Sequence, residues 1–219
     1  MLKECSSNWP VLSMPEAEGR RLACEYQKAS VILEYGSGGS TIAASSYAQK
    51  RVFSVESDLF WALRLRSRID ELKLPSPATV YHADIGPTGD WGRPLDATHW
   101  DRFWRYPAQI WDEPFFRHPD VVLIDGRFRA ACFATVLLRI KRPTIILFDD
   151  YVGRHSYHDV EYYLSPTETI GRMAVFEARP GLINADRSTV MFNLFFRATY
   201  PRQADYDRRS EPGSRKERP

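Results

Sequence analysis

The chain has 219 residues, of which 43% are hydrophobic and 26% charged, so it can bury a core without disulfides or metal staples. Its net charge is +2, and the segment after Tyr200 carries six basic residues against four acidic ones, which leaves the body close to neutral. This balance argues against a nucleic-acid partner, and no apolar run reaches the ~20 residues of a membrane span. Three cysteines without metal-type spacing indicate a reducing compartment, so we expect a cytoplasmic protein with no membrane partner.

Helices and strands alternate along the first part of the chain. The predicted elements are a helix at 15–29, a strand at 31–33, a helix at 41–49, a strand at 51–55, a helix at 59–72 and a strand at 78–81. Pro15 suits a first helical turn, and the apolar run that stops at a glycine cluster is typical of a buried strand.

The second part continues the alternation and then breaks it. We predict a strand at 120–124, a helix at 130–140, a strand at 143–148, a helix at 157–164 and two final strands at 172–178 and 188–196. Pro180, Gly181 and other turn formers separate the last two, which predicts an antiparallel hairpin. The fold class is therefore α/β: a doubly wound, mostly parallel seven-stranded sheet with a C-terminal antiparallel β-hairpin and helices on both faces.

We predict one domain over 1–200, interrupted by an aromatic-rich insertion at 86–119 that is far longer than the ~2–6 residues usual for such a loop. Two interpretations of this insertion stay open: it buries its aromatic side chains against the sheet, or it forms a cap over a substrate pocket. The polar composition of 201–219 predicts a disordered tail.

A glycine-rich loop follows the first strand and precedes a helix, an arrangement that lets backbone approach a nucleotide-like ligand. Glu56 ends the second strand, where an acid can accept hydrogen bonds from both hydroxyls of a ribose. The nicotinamide fingerprint G-x-G-x-x-G fits at Gly36 and Gly38 but is broken at Thr41. Glu34 would also repel a pyrophosphate, whereas a sulfonium cofactor with an amino group has the opposite charge.

The stretch from Glu34 to Ser40, Glu-Tyr-Gly-Ser-Gly-Gly-Ser, resembles motif I of class I S-adenosylmethionine-dependent methyltransferases, with Ser40 in place of the last glycine. The resemblance implies that the loop lies along the methionine and sugar of the cofactor, that Glu56 holds the ribose and that the residues after the third strand lie near the adenine. The implied cofactor-binding residues are Glu34, Gly36, Ser37, Gly38, Gly39, Ser40, Glu56, Ser57, Asp84, Ile85 and Asp125.

Acidic residues end the fourth and fifth strands, at Asp125 and at Asp149-Asp150. The carboxyl ends of neighbouring parallel strands converge, so we expect these three carboxylates to meet and to hold a divalent cation such as Mg²⁺. The pattern resembles the metal site of catechol-type O-methyltransferases. Asp150 stands where that family has an asparagine, and Phe128 stands where it has a lysine base.

Other interpretations of the acidic residues stay open. Asp125 could orient the cofactor or the substrate, Asp149 could cap the following turn, and Asp150 could pair with one of several arginines. Those arginines are Arg127, Arg129 and Arg154.

The sequence predicts a methyltransferase that acts on an oxygen or nitrogen of a small-molecule acceptor by in-line transfer, with Asp125, Asp150 and Arg127 as catalytic residues. One alternative is a protein that binds the adenosyl cofactor without transferring its methyl group. The other is a nicotinamide-dependent oxidoreductase.

Overall fold

A computed structural model describes residues 10–197 of the chain, and the predicted tail at 201–219 lies outside the described residues. Seven strands form one sheet: β1 Val31–Tyr35, β2 Arg51–Glu56, β3 Ala78–His82, β4 Val121–Ile124, β5 Thr144–Phe148, β6 Glu168–Ile170 and β7 Met173–Ala178. Their order is β3-β2-β1-β4-β5-β7-β6. Strands β1 to β5 run parallel, and β7 is antiparallel to both β5 and β6. The predicted sheet with its C-terminal antiparallel hairpin is confirmed.

In the described part of the chain, six α-helices accompany the sheet: α1 Glu16–Lys28, α2 Gly39–Ser46, α3 Leu59–Leu72, α4 Arg105–Ala108, α5 Arg129–Arg139 and α6 Ser188–Phe195. Short 3₁₀ helices lie at Asp90–Gly92, Trp100–Arg102, Gln109–Asp112, His155–Tyr162 and Ala185–Arg187. The helix predicted at 157–164 is therefore a 3₁₀ helix that begins two residues earlier. No helix between residues 10 and 197 combines the length and the apolar character that crossing a membrane requires.

The predicted strand at 188–196 is wrong, because this segment is helix α6. Its apolar side chains Val190, Met191 and Leu194 recur at helical spacing and pack on the core beside α5. The true hairpin joins β6 to β7 through a turn at Gly171-Arg172, since Ile170 and Met173 are register partners. A three-residue edge strand carries too little pattern to be recognised in the sequence.

The sheet is buried on both faces, which explains why β1 and β4 read as continuous apolar runs. One face packs under α5, α6 and the insertion, and in the core between them Phe148 and Phe176 of the sheet contact Phe133 of α5. The other face packs under α1, with Leu22 and Tyr26 fully buried against it.

The insertion at 86–119 contains only short helical turns. Tyr106, Ile110 and Phe103 are buried in the main core, as the first interpretation of this segment predicts. Tyr35 at the end of β1 fastens the segment, because its hydroxyl donates to the carbonyl of Pro107 and accepts from the indole of Trp111. The insertion is thus packed onto the sheet edge where the parallel strands end.

Candidate active site

The loop after β1 is shaped by close contacts within the chain. Gly36 has φ +103°, and a Cβ there would lie 2.8 Å from the backbone nitrogen of Gly126, which follows β4. A Cβ on Gly39 would lie 2.3 Å from the carbonyl carbon of Val11. The first glycine therefore lets the β1 and β4 loops meet, and the third lets an N-terminal segment cross the start of α2.

Glu34 is completely buried. Its two carboxylate oxygens accept hydrogen bonds from the hydroxyls of Tyr26 in α1, at 2.6 Å, and Thr41 in α2, at 2.5 Å. Burial raises the pKa of Glu34, and the hydroxyl donors work against that rise. Glu34 thus joins two helices to the glycine loop, and its predicted contact with a cofactor stays a prediction.

Glu56 at the end of β2, the residue predicted to hold the ribose, is fixed by three hydrogen bonds. Its Oε1 accepts from the backbone N–H groups of Ser57 at 2.8 Å and Asp58 at 2.9 Å, and its Oε2 accepts from the Ser37 hydroxyl at 2.9 Å. Burial raises the pKa of Glu56, and these hydrogen bonds oppose the rise. The acid of β2 and the serine of the glycine loop are thereby held together, as the motif implies.

The insertion reaches this position through Gly92. Ser57 donates its hydroxyl to the Gly92 carbonyl at 2.7 Å, and a Cβ on Gly92 would lie 3.0 Å from Oε1 of Glu56. Gly92 has φ +67°, so backbone rather than a side chain covers the carboxylate. This end of the insertion therefore lies against Glu56 and Ser57, and the interpretation of the insertion as a cap over a substrate pocket stays a prediction.

Asp84 and Ile85 follow β3 and differ in their surroundings. Asp84 is half-exposed, and it accepts from the N–H of Gly86 and pairs with Arg102 at 3.2 Å and Arg105 at 3.5 Å. The Gly86 hydrogen bond and the two arginines lower its pKa. Ile85 is fully buried in the main core. Asp84 is thus linked to the insertion.

The three aspartates after β4 and β5 meet as predicted, with one oxygen from each of Asp125, Asp149 and Asp150 lying within 4.8 Å of the others. Asp125 keeps 36% of its side chain exposed, whereas Asp149 keeps 1%. Burial raises the pKa of Asp125 to about 7; Arg129 opposes this rise, and Asp149 and Asp150 add to it. Burial also disfavours ionised Asp149, but the hydrogen bonds and charge of Arg172, together with the backbone N–H of Asp150 and the charge of Arg129, outweigh it and lower that pKa.

Arginines already occupy this acidic cluster. Arg172 donates to both oxygens of Asp149 at 3.0 Å, and its Nε lies 3.1 Å from Asp150. Arg129 lies 3.0 Å from Asp125 and 3.3 Å from Asp150, and Arg154 lies 2.8 Å from Asp150.

Three positive charges therefore face three negative ones, and the most buried carboxylate has both oxygens engaged. This arrangement does not fit a divalent cation, which needs free carboxylate oxygens and uncompensated negative charge. The metal role of Asp125, Asp149 and Asp150 stays a prediction, and we derive no step through a metal.

Strained backbone also marks this edge of the sheet. Phe128, which precedes α5, has φ +49°, Asp150 in the loop after β5 has φ +55°, and Trp91 in the insertion has φ +61°. Residues other than glycine in this left-handed region cost about 1–3 kcal/mol each and concentrate at functional sites. Gln49 and Lys73 adopt the same backbone region after α2 and α3, at the other end of the strands. The strain therefore agrees with a candidate site where β2, β4 and β5 end but does not by itself assign it.

Solved structures identify the family. A methyltransferase-like protein from Silicibacter pomeroyi is 41% identical, with 85% of this chain and 97% of that chain covered at a TM-score of 0.82. This chain belongs to the methyltransferase-like proteins. The O-methyltransferase TomG from Streptomyces achromogenes, solved in complex with S-adenosylmethionine, is 18% identical over 78% of this chain and 82% of that chain at a TM-score of 0.51, a likeness of fold. No family model and no curated protein matches the chain.

Sequence reasoning missed several residues at the site of this methyltransferase-like chain. The sequence predicts Arg172 only as the start of a strand, and no local pattern links it to Asp149, which follows the neighbouring strand β5. Tyr106 lies behind the loops, with its hydroxyl donating to the Val55 carbonyl and accepting from the Arg127 N–H, each at 3.3 Å. The density of aromatic residues in the insertion was the available signal for Tyr106.

Proposed function

We propose that this chain binds S-adenosylmethionine where β1, β2 and β4 end and transfers its methyl group to an oxygen or nitrogen of a small molecule. The observation that carries the proposal is Glu56, whose carboxylate is buried beside Ser37 of the motif I loop in a member of the methyltransferase-like family. Hydroxyl and backbone N–H donors hold this acid without neutralising it. A ribose can replace the serine hydroxyl as donor at no cost in charge.

The cofactor supplies an activated methyl group and its leaving group in one molecule, so the protein supplies mainly orientation. In this proposal the loop from Gly36 to Ser40 borders the methionine and sugar, while Asp84 and Ile85 border the adenine. Fixing two reactants in line contributes up to about 7–11 kcal/mol to lowering the barrier. Tight loop packing at Gly36 serves that orientation.

Asp125 is our candidate for the group that takes the proton of the acceptor. It ends β4, keeps about a third of its side chain exposed and has a pKa of about 7, which matches proton transfer near neutral pH. Asp150 serves differently, because its ion pairs with Arg129 and Arg154 hold the arginine that contacts Asp125. It therefore positions Asp125 through Arg129.

Thermal unfolding of the wild type and of Glu56→Gln tests the cofactor. A ligand at a hundred times its Kd stabilises by about 2.7 kcal/mol, or several degrees in Tm. We expect S-adenosylhomocysteine to raise the Tm of the wild type much more than that of Glu56→Gln, and NAD to leave both unchanged. A shift with NAD alone would support the nicotinamide alternative and overturn the proposal.

The second candidate is a protein that binds the adenosyl cofactor without catalysing transfer. It is favoured by Phe128, which stands where catechol-type enzymes have a lysine, and by the arginines that occupy the acidic cluster. Incubation with methyl-labelled S-adenosylmethionine and a panel of phenols, amines and carboxylates separates the two candidates. Labelled product supports the enzyme, and a thermal shift without product from any acceptor class supports the binding protein.

A further inference from the structure

Among the described residues, two arginines in the loops of the candidate active site each have one side-chain nitrogen without a hydrogen-bond partner. Within residues 10–197, the Nε atoms of Arg93 and Arg127 are buried and make no hydrogen bond. Every other arginine named at this edge, such as Arg129 or Arg172, is engaged by a carboxylate. A buried guanidinium nitrogen that donates to nothing is unfavourable, because no hydrogen bond offsets its desolvation.

The surroundings of Arg127 are positive. Burial, then Arg129, lowers its pKa, and Arg93 lowers it further, while Tyr106 and Tyr157 act in the opposite direction. None of these leading influences is a carboxylate. The position of Arg127 thus favours an anion from outside the described part of the chain.

Both arginines are attached to the loops that form the site. Arg93 follows Gly92, whose backbone covers Glu56 and Ser57. Arg127 follows Gly126, which touches Gly36 of the motif I loop, and it lies two residues after Asp125. A group bound between these guanidinium groups would lie beside the cofactor loop and the candidate base.

We propose that Arg93 and Arg127 bind an anionic group, a carboxylate or a phosphate, carried by the methyl acceptor. Guanidinium groups suit this task because their planar forks donate two parallel hydrogen bonds to such an anion. The proposal rests on the proposed function and narrows the acceptor from any small oxygen or nitrogen compound to an anionic one. The aspartates of the cluster do not compete for these arginines, since Arg129, Arg154 and Arg172 satisfy them.

The carboxylate of the cofactor has the same chemistry, so the experiment separates the two sources. The first arm measures the Kd of S-adenosylhomocysteine and of methylthioadenosine, which lacks the amino-acid part, for the wild type, Arg93→Gln and Arg127→Gln. We expect both variants to bind both compounds as the wild type does. An approximately tenfold loss for S-adenosylhomocysteine alone would assign the arginines to the cofactor and overturn the proposal.

The second arm measures Tm against inorganic phosphate at constant ionic strength, with and without saturating S-adenosylhomocysteine. We expect phosphate to stabilise the wild type and this effect to fall at least about tenfold in apparent affinity in each variant. Arg179→Gln is the matched control, because Arg179 is exposed and follows β7 at the opposite edge of the sheet, where Ala178 pairs with Thr144. It should keep the phosphate effect.

Equal phosphate effects in all four proteins, or none in the wild type, would overturn the anion site. The titration without S-adenosylhomocysteine separates this failure from that of the proposed function, because the arginines are present whether or not the adenosyl compound binds. Arg127→Gln removes a buried charge without a described partner, so we expect it to fold, and its Tm in chloride checks this directly.

Discussion

Two sets of buried acids lie along the same edge of the sheet and are stabilised in different ways. Glu34 and Glu56, at the ends of β1 and β2, accept hydrogen bonds from hydroxyl and backbone N–H groups, and burial raises the pKa of each. Asp149 and Asp150, after β5, are held by arginines. A ligand's hydroxyl groups can replace neutral donors on a carboxylate without leaving a protein cation unpaired. Displacing an arginine from its carboxylate would leave both charges without a partner. We therefore expect the acids at the ends of β1 and β2 to be available to a ligand, and the acids after β5 to stabilise the fold.

The largest expected loss of stability comes from breaking the ion pair between Arg172 and Asp149. Arg172→Leu removes the arginine that donates to both oxygens of Asp149, a carboxylate that is almost completely buried. We expect a loss of about 3 kcal/mol in the free energy of unfolding, measured by urea denaturation, because an uncompensated buried charge is costly. Arg179 is exposed and directly follows β7, the strand that Arg172 directly precedes. The control Arg179→Leu should change the free energy of unfolding by less than about 0.5 kcal/mol. Similar losses in both variants would contradict the structural role assigned to the pair.

The second-largest loss of stability is expected at the contact between the loops that follow β1 and β4. Gly36→Ala places a Cβ 2.8 Å from the Gly126 backbone at a φ of +103°, so we expect a loss of about 2 kcal/mol or more in stability and weaker cofactor binding. Gly153→Ala is the control, since a Cβ there meets nothing within 4 Å. Urea denaturation of both variants would refute the close contact if they proved equally stable.

Changing the binding end should affect ligand affinity more than folding. Glu56→Gln keeps the size of the side chain but removes the charge that accepts from Ser37 and the two N–H groups. We expect S-adenosylhomocysteine to bind about tenfold more weakly, with a loss of about 1 kcal/mol in stability. Isothermal titration together with urea denaturation checks both values. A loss of stability with unchanged affinity for S-adenosylhomocysteine would mean that Glu56 stabilises the fold and does not bind the cofactor.

The smallest expected effect concerns Asp125, which lies between the two sets. Its pKa in the folded protein is raised to about 7, so the folded protein keeps a proton that the unfolded chain has already released above its ordinary pKa. This stabilising contribution is complete at acid pH and is lost as the pH rises towards 7.

Asp125→Asn should therefore remove that part of the pH dependence and stabilise the protein above pH 7. Solvent reaches about a third of the side chain and screens the effect, so we expect about 1 kcal/mol. Tm measured from pH 4 to 8 in both proteins tests this, and parallel curves would contradict it. If methyl transfer is detected, the same variant should lose the rise in rate through pH 7.

Local patterns were enough to predict most of the sheet and to bring the acids together. Apolar runs that stop at glycine or acidic residues located β1, β2, β4 and β5, because a parallel strand is buried on both faces and its functional residues follow it. The convergence of Asp125 with Asp149 followed from parallel topology alone. These features depend on neighbours in sequence or on a general rule of the fold.

Features that depend on tertiary partners could not be predicted. Residues 188–195 are apolar enough for a strand, and the helical spacing of Val190, Met191 and Leu194 is distinguished from a strand pattern by their packing beside α5. Arg172 lies beside Asp149 because β7 pairs antiparallel with β5, and no spacing in the sequence predicts that pairing. The turns of the insertion likewise follow from where Tyr106 and Gly92 pack.

The position of Trp61 beside the motif I loop should make the intrinsic fluorescence of the protein sensitive to ligand binding. Its indole nitrogen donates to the carbonyl of Ser37 at 2.9 Å, and its ring lies 3.8 Å from where a Cβ of Gly38 would be. A molecule that settles along the motif I loop changes the polarity and hydrogen bonding around this indole. The intrinsic fluorescence of the chain should therefore shift when the loop is filled, and Trp61→Phe should abolish the part of the signal that comes from the loop.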